Sequence, residues 1–131
     1  MLMKDGFIRV AAGSFKVSIA NVKKNAQEII RLSKEANANH TQVLVLNELC
    51  LTGYTIEDLF FQKRVLNESE TQLQYILDET KDLDTVIVIG MPLVIRNDLY
   101  NCALVLHRGD ILGAVPKTYI GDVTGDGKID A

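Results

Sequence analysis

Two short runs of apolar, largely β-branched residues constrain the fold most. Val43–Leu46 reads V-L-V-L, and Thr85–Gly90 reads T-V-I-V-I-G. Short runs with no polar alternation are typical of strands that are buried on both faces, as in a mostly parallel sheet covered by helices. A helical pattern precedes each run, so the sequence predicts successive β-α-β units with right-handed crossovers.

The remaining elements follow from helical spacing and from turn residues. We predict a first strand at Phe7–Ala12, a helix from Val22 to about Ala38 that Asn21 caps, and a second helix at Glu68–Thr80. The third strand ends at Met91-Pro92, with Leu93–Ile95 as an extension. A turn at Asn97-Asp98 leads to strands at Leu99–His107 and Ile111–Val115, joined by a hairpin turn at residues 108–110. The predicted order is β-α-β-α-β followed by an antiparallel meander.

Composition excludes several classes of function. The chain has 131 residues, enough for one domain, and its net charge of −3 gives no electrostatic footprint for nucleic acid or an anionic membrane. No apolar run is long enough to span a membrane, and the N-terminus lacks a signal-peptide pattern. The two cysteines do not form a disulfide framework, so we expect reduced thiols and a cytoplasmic protein.

Two charged residues each follow an apolar strand, and they are the candidate site. Glu48 follows Val43–Leu46, and Lys117 follows Ile111–Val115. In open α/β sheets, ligands bind at the carboxyl ends of the parallel strands. A buried unpaired charge is costly, so two charges of opposite sign are expected to meet. Alternatively, Glu48 caps the next turn, and the two residues are unrelated surface charges.

Three separated segments resemble the nitrilase, or carbon–nitrogen hydrolase, superfamily. The segments are L-N-E-L-C-L-T-G-Y-T-I-E-D-L-F, I-G-M-P-L with L-Y-N-C-A-L-V-L, and G-D-I-L-G-A-V-P-K-T-Y-I. Residues 1–120 look most like the N-terminal part of the glutaminase domain of glutamine-dependent NAD synthetases. The resemblance implies an α/β fold: part of a nitrilase-type α-β-β-α sandwich, a mixed sheet with two helices on one face.

The same resemblance implies roles for three residues. Glu48 matches the general base, Lys117 the lysine that stabilises the oxyanion, and Tyr54 a tyrosine of the glutamine pocket. In that chemistry the glutamate takes a thiol proton, the thiolate attacks the side-chain amide of glutamine, and the lysine stabilises the developing charge. Glutamine hydrolysis needs no cofactor. The released ammonia passes to a synthetase domain, which uses ATP and magnesium and is absent from these 131 residues.

The nucleophile is the main departure from the family pattern. The family's cysteine lies downstream of the lysine, whereas Cys50 falls inside the base segment and Cys102 lies within a strand. We therefore expect the chain to carry the base and the oxyanion lysine but to be inactive alone, with a synthetase domain or another chain completing the fold. The alternative is a non-catalytic binding or interaction protein on a relic scaffold. An uncovered sheet would favour homo-oligomers or aggregation.

Residues 121–131 differ in composition from the rest of the chain and read G-D-V-T-G-D-G-K-I-D-A. They resemble the start of a dockerin-type or EF-hand calcium loop, with Gly127 at the sharp turn. The ligands would be Asp122, Thr124, Asp126, the carbonyl of Lys128, and Asp130. The alternative is a disordered Asp/Gly-rich tail without a site.

Calcium binding by this tail is expected to be no tighter than about millimolar, as in the weakest extracellular modules. The segment lacks the last carboxylate of the loop and the flanking helices that would hold the ligands in place. Titration calorimetry of the chain with CaCl₂ measures the affinity. A micromolar dissociation constant would contradict this expectation and favour the interaction-module alternative.

Overall fold

The computed structural model describes residues 6–19, 21–53 and 59–117, except for the side chains of residues 59–62. Within them, five strands form one sheet: β1 (Val10–Gly13), β2 (Val43–Leu46), β3 (Val86–Ile95), β4 (Asp98–His107) and β5 (Asp110–Pro116). Helix α1 (Val22–Ala38) joins β1 to β2, and helix α2 (Leu59–Glu79) joins β2 to β3. Strands β1, β2 and β3 are parallel, whereas β4 and β5 continue the sheet antiparallel. The predicted α/β class, a mixed sheet with two helices, is confirmed.

Both helices pack against one face of the sheet. Strand alternation brings Leu44, Ile87 and Leu104 into the same apolar core as Ile29 of α1 and Ile76 of α2. Two successive right-handed crossovers in the same direction place both helices on the same side. The apolar residues at helical spacing in each helix are therefore buried against the sheet. Neither described helix combines the length and the apolar character needed to cross a membrane.

The opposite face, which we call the open face, consists largely of small and β-branched apolar residues. Strand pairing aligns on it Val10, Ala12, Val43, Val45, Val86, Val88, Ala103, Val105, Gly113 and Val115. Val10 is 62% exposed, and Val45, on the second of the five strands, is still 45% exposed. No described element covers these side chains. An apolar face of this extent is typical of a surface that contacts other polypeptide.

Two-residue turns form both hairpins of the meander. Arg96 and Asn97 have φ values of 52° and 69°, and Arg108 and Gly109 have 49° and 84°. Positive φ at both turn positions is the geometry that matches the twist of the paired strands. The first turn lies one residue earlier than predicted, because Asp98 already pairs with Ile95.

Three predicted boundaries were wrong. Strand β1 begins three residues later than predicted, at Val10. Helix α2 begins at Leu59 rather than Glu68, and its buried face already includes Val65. Strand β3 continues through Pro92 instead of ending there. Pro92 lies beyond the part of β3 that pairs with β2, so its missing N–H removes no hydrogen bond between those strands.

Candidate active site

The Glu48 carboxylate and the Lys117 ammonium form an ion pair. The distance between Lys117 Nζ and Glu48 Oε1 is 2.6 Å, and their side chains are 31% and 43% exposed, respectively. The predicted proximity is confirmed, whereas the catalytic roles stay predictions. A half-exposed ion pair contributes only about 0–1 kcal/mol to folding. Its significance is therefore chemical: a carboxylate and a cation held together where β2 and β5 end.

The loop that carries Glu48 is rigidly anchored. This Glu48 loop, residues 47–53, buries four consecutive residues: Leu49, Cys50, Leu51 and Thr52. The Leu51 N–H donates to the carbonyl of Gly90 on β3 at 3.1 Å. Leu49 has a φ of 48°, an unfavourable value for a branched side chain, and such strain often occurs at functional sites. Gly53, the last residue of the loop, has a φ of 74°, which glycine adopts without strain.

Gly90 allows the Glu48 loop to lie directly on β3. A Cβ atom at this position would lie 2.4 Å from the Leu49 backbone nitrogen, 3.1 Å from the Asn47 carbonyl oxygen and 3.1 Å from the Glu48 carbonyl carbon. All three neighbours are backbone atoms, so none can rotate away. The position of Glu48 therefore depends on the absence of a side chain at Gly90.

Helix α1 supplies a second anchor through the buried amide of Asn25. Its Nδ2 donates to the carbonyls of Ser18 and Leu51, and its Oδ1 accepts from the Ser18 N–H. These three bonds connect α1, the segment after β1 and the Glu48 loop. The loop is thus held from the sheet and from the helical layer.

Asn101 on β4 contacts both charged residues. Its Nδ2 donates to Glu48 Oε1 at 2.8 Å, and its carbonyl accepts from the Lys117 N–H at 2.8 Å. Asn101 is only 3% exposed. Sequence reasoning missed this residue, although a single amide side chain within the apolar run of β4 was the available signal.

Neither cysteine has the properties of an activated nucleophile. Cys50 is fully buried, which raises the pKa of its thiol to about 11, and its Sγ accepts from the Gly90 N–H at 3.4 Å. Burial also raises the pKa of the Cys102 thiol. A reactive cysteine needs a thiolate in an accessible, electropositive environment. Both thiols instead pack in the core.

The other predicted site residues lie outside the described residues. These are Tyr54 and the tail residues Asp122, Thr124, Asp126, Lys128 and Asp130. The predicted domain boundary at Gly121 lies outside them as well. Among the residues that the structure describes, no group of three or more His, Cys, Asp or Glu side chains could hold a metal ion.

Residues 9–122 match the family described as carbon–nitrogen hydrolase. The chain belongs to the carbon–nitrogen hydrolase family. Within this family, the chain is 40% identical over 116 residues to the glutamine-dependent NAD(+) synthetase of Mycobacterium leprae, covering 88% of this chain and 17% of the relative. It is 28% identical over 113 residues to the enzyme of that name from Aquifex aeolicus, covering 86% and 20%.

Two solved structures superpose on most of this chain. The crystal structure of a glutamine-dependent NAD(+) synthetase from Cytophaga hutchinsonii superposes with a TM-score of 0.78 at 26% identity, over 88% of this chain and 20% of that one. An amidase from Nesterenkonia sp. gives a TM-score of 0.72 at 16% identity, over 94% and 47%, which supports the fold alone. The chain spans about a fifth of the length of the NAD synthetases it matches.

Proposed function

We propose that residues 1–120 are the N-terminal part of a glutamine-hydrolysing, ammonia-supplying domain of an NAD synthetase. The observation that carries this proposal is the 2.6 Å contact between Glu48 and Lys117. The contact lies in a carbon–nitrogen hydrolase whose relatives include glutamine-dependent NAD synthetases. Glu48 is assigned as the general base and Lys117 as the group that stabilises the oxyanion. Tyr54 is assigned to the glutamine pocket.

The chemistry needs a base and a cation close to one reacting carbon. Glu48 accepts the proton of a cysteine thiol, and the thiolate forms a bond to the side-chain amide carbon of glutamine. The Lys117 ammonium stabilises the negative oxygen of the tetrahedral intermediate. The carbon–nitrogen bond then breaks, and the nitrogen leaves as ammonia with the proton that Glu48 returns. Water, deprotonated by Glu48, finally hydrolyses the thioester to glutamate.

The thiol in this scheme is neither Cys50 nor Cys102, because both are buried and protonated at neutral pH. We therefore propose that further polypeptide supplies the nucleophile and that these 131 residues are inactive alone. The same polypeptide would cover the open face, whereas without it the chain would self-associate. The free, buried cysteines fit a reducing, cytoplasmic setting.

The alternative remains a non-catalytic interaction protein, which the exposed apolar residues of the open face favour. Calcium binding by the tail is a separate proposal, with the calorimetric titration given above as its test. Hydrolysis of glutamine by the site needs no cofactor. In the complete protein, ATP and magnesium would belong to the synthetase domain that receives the ammonia.

A chimera tests the proposed function. Residues 1–117 of this chain replace the matching segment of the Mycobacterium leprae NAD synthetase, and ammonia release from glutamine is measured. We expect release by the chimera and none by the 131-residue chain, because only the chimera combines the ion pair with a nucleophile. A folded chimera that releases no ammonia would argue against the function. Release by the chain alone that disappears in both Glu48→Gln and Cys50→Ser would make Cys50 a nucleophile.

A further inference from the structure

Asn101 is an unusual residue for its place in the sheet. Alternation along β4 places its side chain on the face of Ala103 and Val105, opposite the core residues Cys102 and Leu104. Its neighbours Ala103 and Val105 on that face are apolar, and asparagine is disfavoured in strands. Burying an amide without a partner is costly, and the bond to the Glu48 carboxylate offsets that cost.

The ion pair by itself holds its geometry weakly. The Glu48 and Lys117 side chains are long and partly exposed, and such pairs gain little energy after the entropy of two flexible side chains is lost. A donor on a short, buried side chain of a paired strand has far less freedom. Asn101 supplies such a donor, and its Nδ2 meets the same oxygen, Oε1, that Lys117 Nζ contacts.

Asn101 also fixes the main chain at Lys117. The Lys117 N–H donates to the Asn101 carbonyl at 2.8 Å, which continues the pairing of β4 and β5 one residue beyond Pro116. The backbone position from which the Lys117 side chain extends is therefore fixed at the end of β5. Asn101 thus positions the Glu48 carboxylate through its side-chain amide and the Lys117 backbone through its carbonyl.

We propose that Asn101 is a positioning residue that holds the Glu48 carboxylate and the Lys117 ammonium in their mutual geometry. It acts through these two groups and does not itself touch the reacting atoms. The inference rests on the proposed function for its catalytic consequence. The geometric part concerns the chain alone and is tested on the chain alone.

The first test measures the acetylation rate of Lys117 in the native 131-residue chain by quantitative mass spectrometry, with exposed Lys23 and Lys24 as internal standards. Asn101→Leu removes the donor at similar volume, and we expect about a threefold to tenfold faster reaction of Lys117. Glu48→Gln should give a similar increase. The double variant should add nothing further, because Asn101 acts on the side chain of Lys117 through Glu48.

The control is Thr85→Val. Thr85 is also fully buried, and its hydroxyl donates to the Thr41 carbonyl at 2.7 Å. It directly precedes β3, whereas the Glu48 loop contacts that strand further along, at Gly90. This variant should lose stability without changing the Lys117 rate. Equal rates in Thr85→Val and Asn101→Leu would reduce Asn101 to a structural residue and overturn the proposal.

A second measurement leaves Asn101 intact, so it does not depend on how Asn101→Leu folds. In the ¹⁵N-labelled chain, the side-chain amide proton of Asn101 that faces Glu48 should be shifted downfield and protected from exchange. In Glu48→Gln the shift should decrease, because a neutral acceptor replaces a carboxylate. An amide signal that is the same in both proteins would contradict the hydrogen bond on which the proposal depends.

Kinetics of the chimera connect the geometry to the function. Asn101→Leu should lower kcat for ammonia release by about 10- to 100-fold and leave KM within about threefold, since misplacing a catalytic group affects the chemical step. An active chimera with unchanged kcat would overturn the catalytic part of the proposal. A chimera that is inactive in every form, with the labelling pattern as expected, would contradict the proposed function and leave the positioning role intact.

Discussion

Glu48→Gln in the chimera is expected to slow ammonia release by about a thousandfold, within the range of general acid–base catalysis. Glutamine keeps the size of the side chain but neither takes a thiol proton nor carries charge toward Lys117. Lys117→Met should slow release by about 10²–10³-fold, the effect of removing one group that stabilises an oxyanion. Because the residues act on the same intermediate, the double variant should lose much less than the product of the two effects.

Matched charge changes on the helices are the controls for this experiment. Glu35→Gln and Lys81→Met remove exposed charges whose ion pairs lie on the helical side of the sheet, and we expect unchanged rates. Activity that survives in Glu48→Gln would contradict the assignment of the base. Similar losses in all four variants would indicate a general effect on folding of the chimera.

Gly90→Ala is expected to destabilise the chain by about 2–3 kcal/mol and to lower its Tm by roughly 10 °C. The added Cβ would lie 2.4 Å from the Leu49 nitrogen, so the Glu48 loop has to move away from β3. That movement would break the bond from the Leu51 N–H to the Gly90 carbonyl and displace the carboxylate from Lys117. Differential scanning calorimetry measures the first effect, and the Lys117 acetylation rate measures the second.

Gly113→Ala provides the matched control on the same face of the sheet. A Cβ there meets nothing within 4 Å, so we expect a change of less than about 0.5 kcal/mol and an unchanged Lys117 rate. If the two alanine variants unfolded at the same temperature, close packing at Gly90 would not hold the loop. If Gly90→Ala lost stability but kept its Lys117 rate, the loop would tolerate the shift without moving Glu48.

The elements could be predicted because their residues carry local patterns. The run V-L-V-L of β2 and the helical spacing of Val22, Ala26 and Ile29 show within each segment which residues are buried. The meeting of Glu48 and Lys117 could also be predicted, since both follow strands of one sheet. The start of α2 could not, because the nine residues before Glu68 begin with three consecutive apolar residues, which show no helical spacing.

The supports of the site were beyond sequence reasoning because they are contacts between distant segments. In the sequence, Gly90 looks like an ordinary glycine at the end of a strand, and only the structure shows that the Glu48 loop passes over it. Asn101 resembles an isolated polar residue until its amide is seen to meet Glu48. In both cases the decisive neighbour lies in the Glu48 loop, far away in the sequence, so no spacing within the segment reveals it.

The order in which the chain folds follows from the place of β3 between two kinds of strand pairing. Strands β4 and β5 close onto β3 through two-residue turns, and such local hairpins form within microseconds. Strands β1 and β2 reach β3 only through helices, and non-local pairings of this kind form more slowly. Glu48 belongs to the slow part and Asn101, 53 residues away, to the fast part. Their hydrogen bond needs both parts in place on β3, so we expect it to form late in folding.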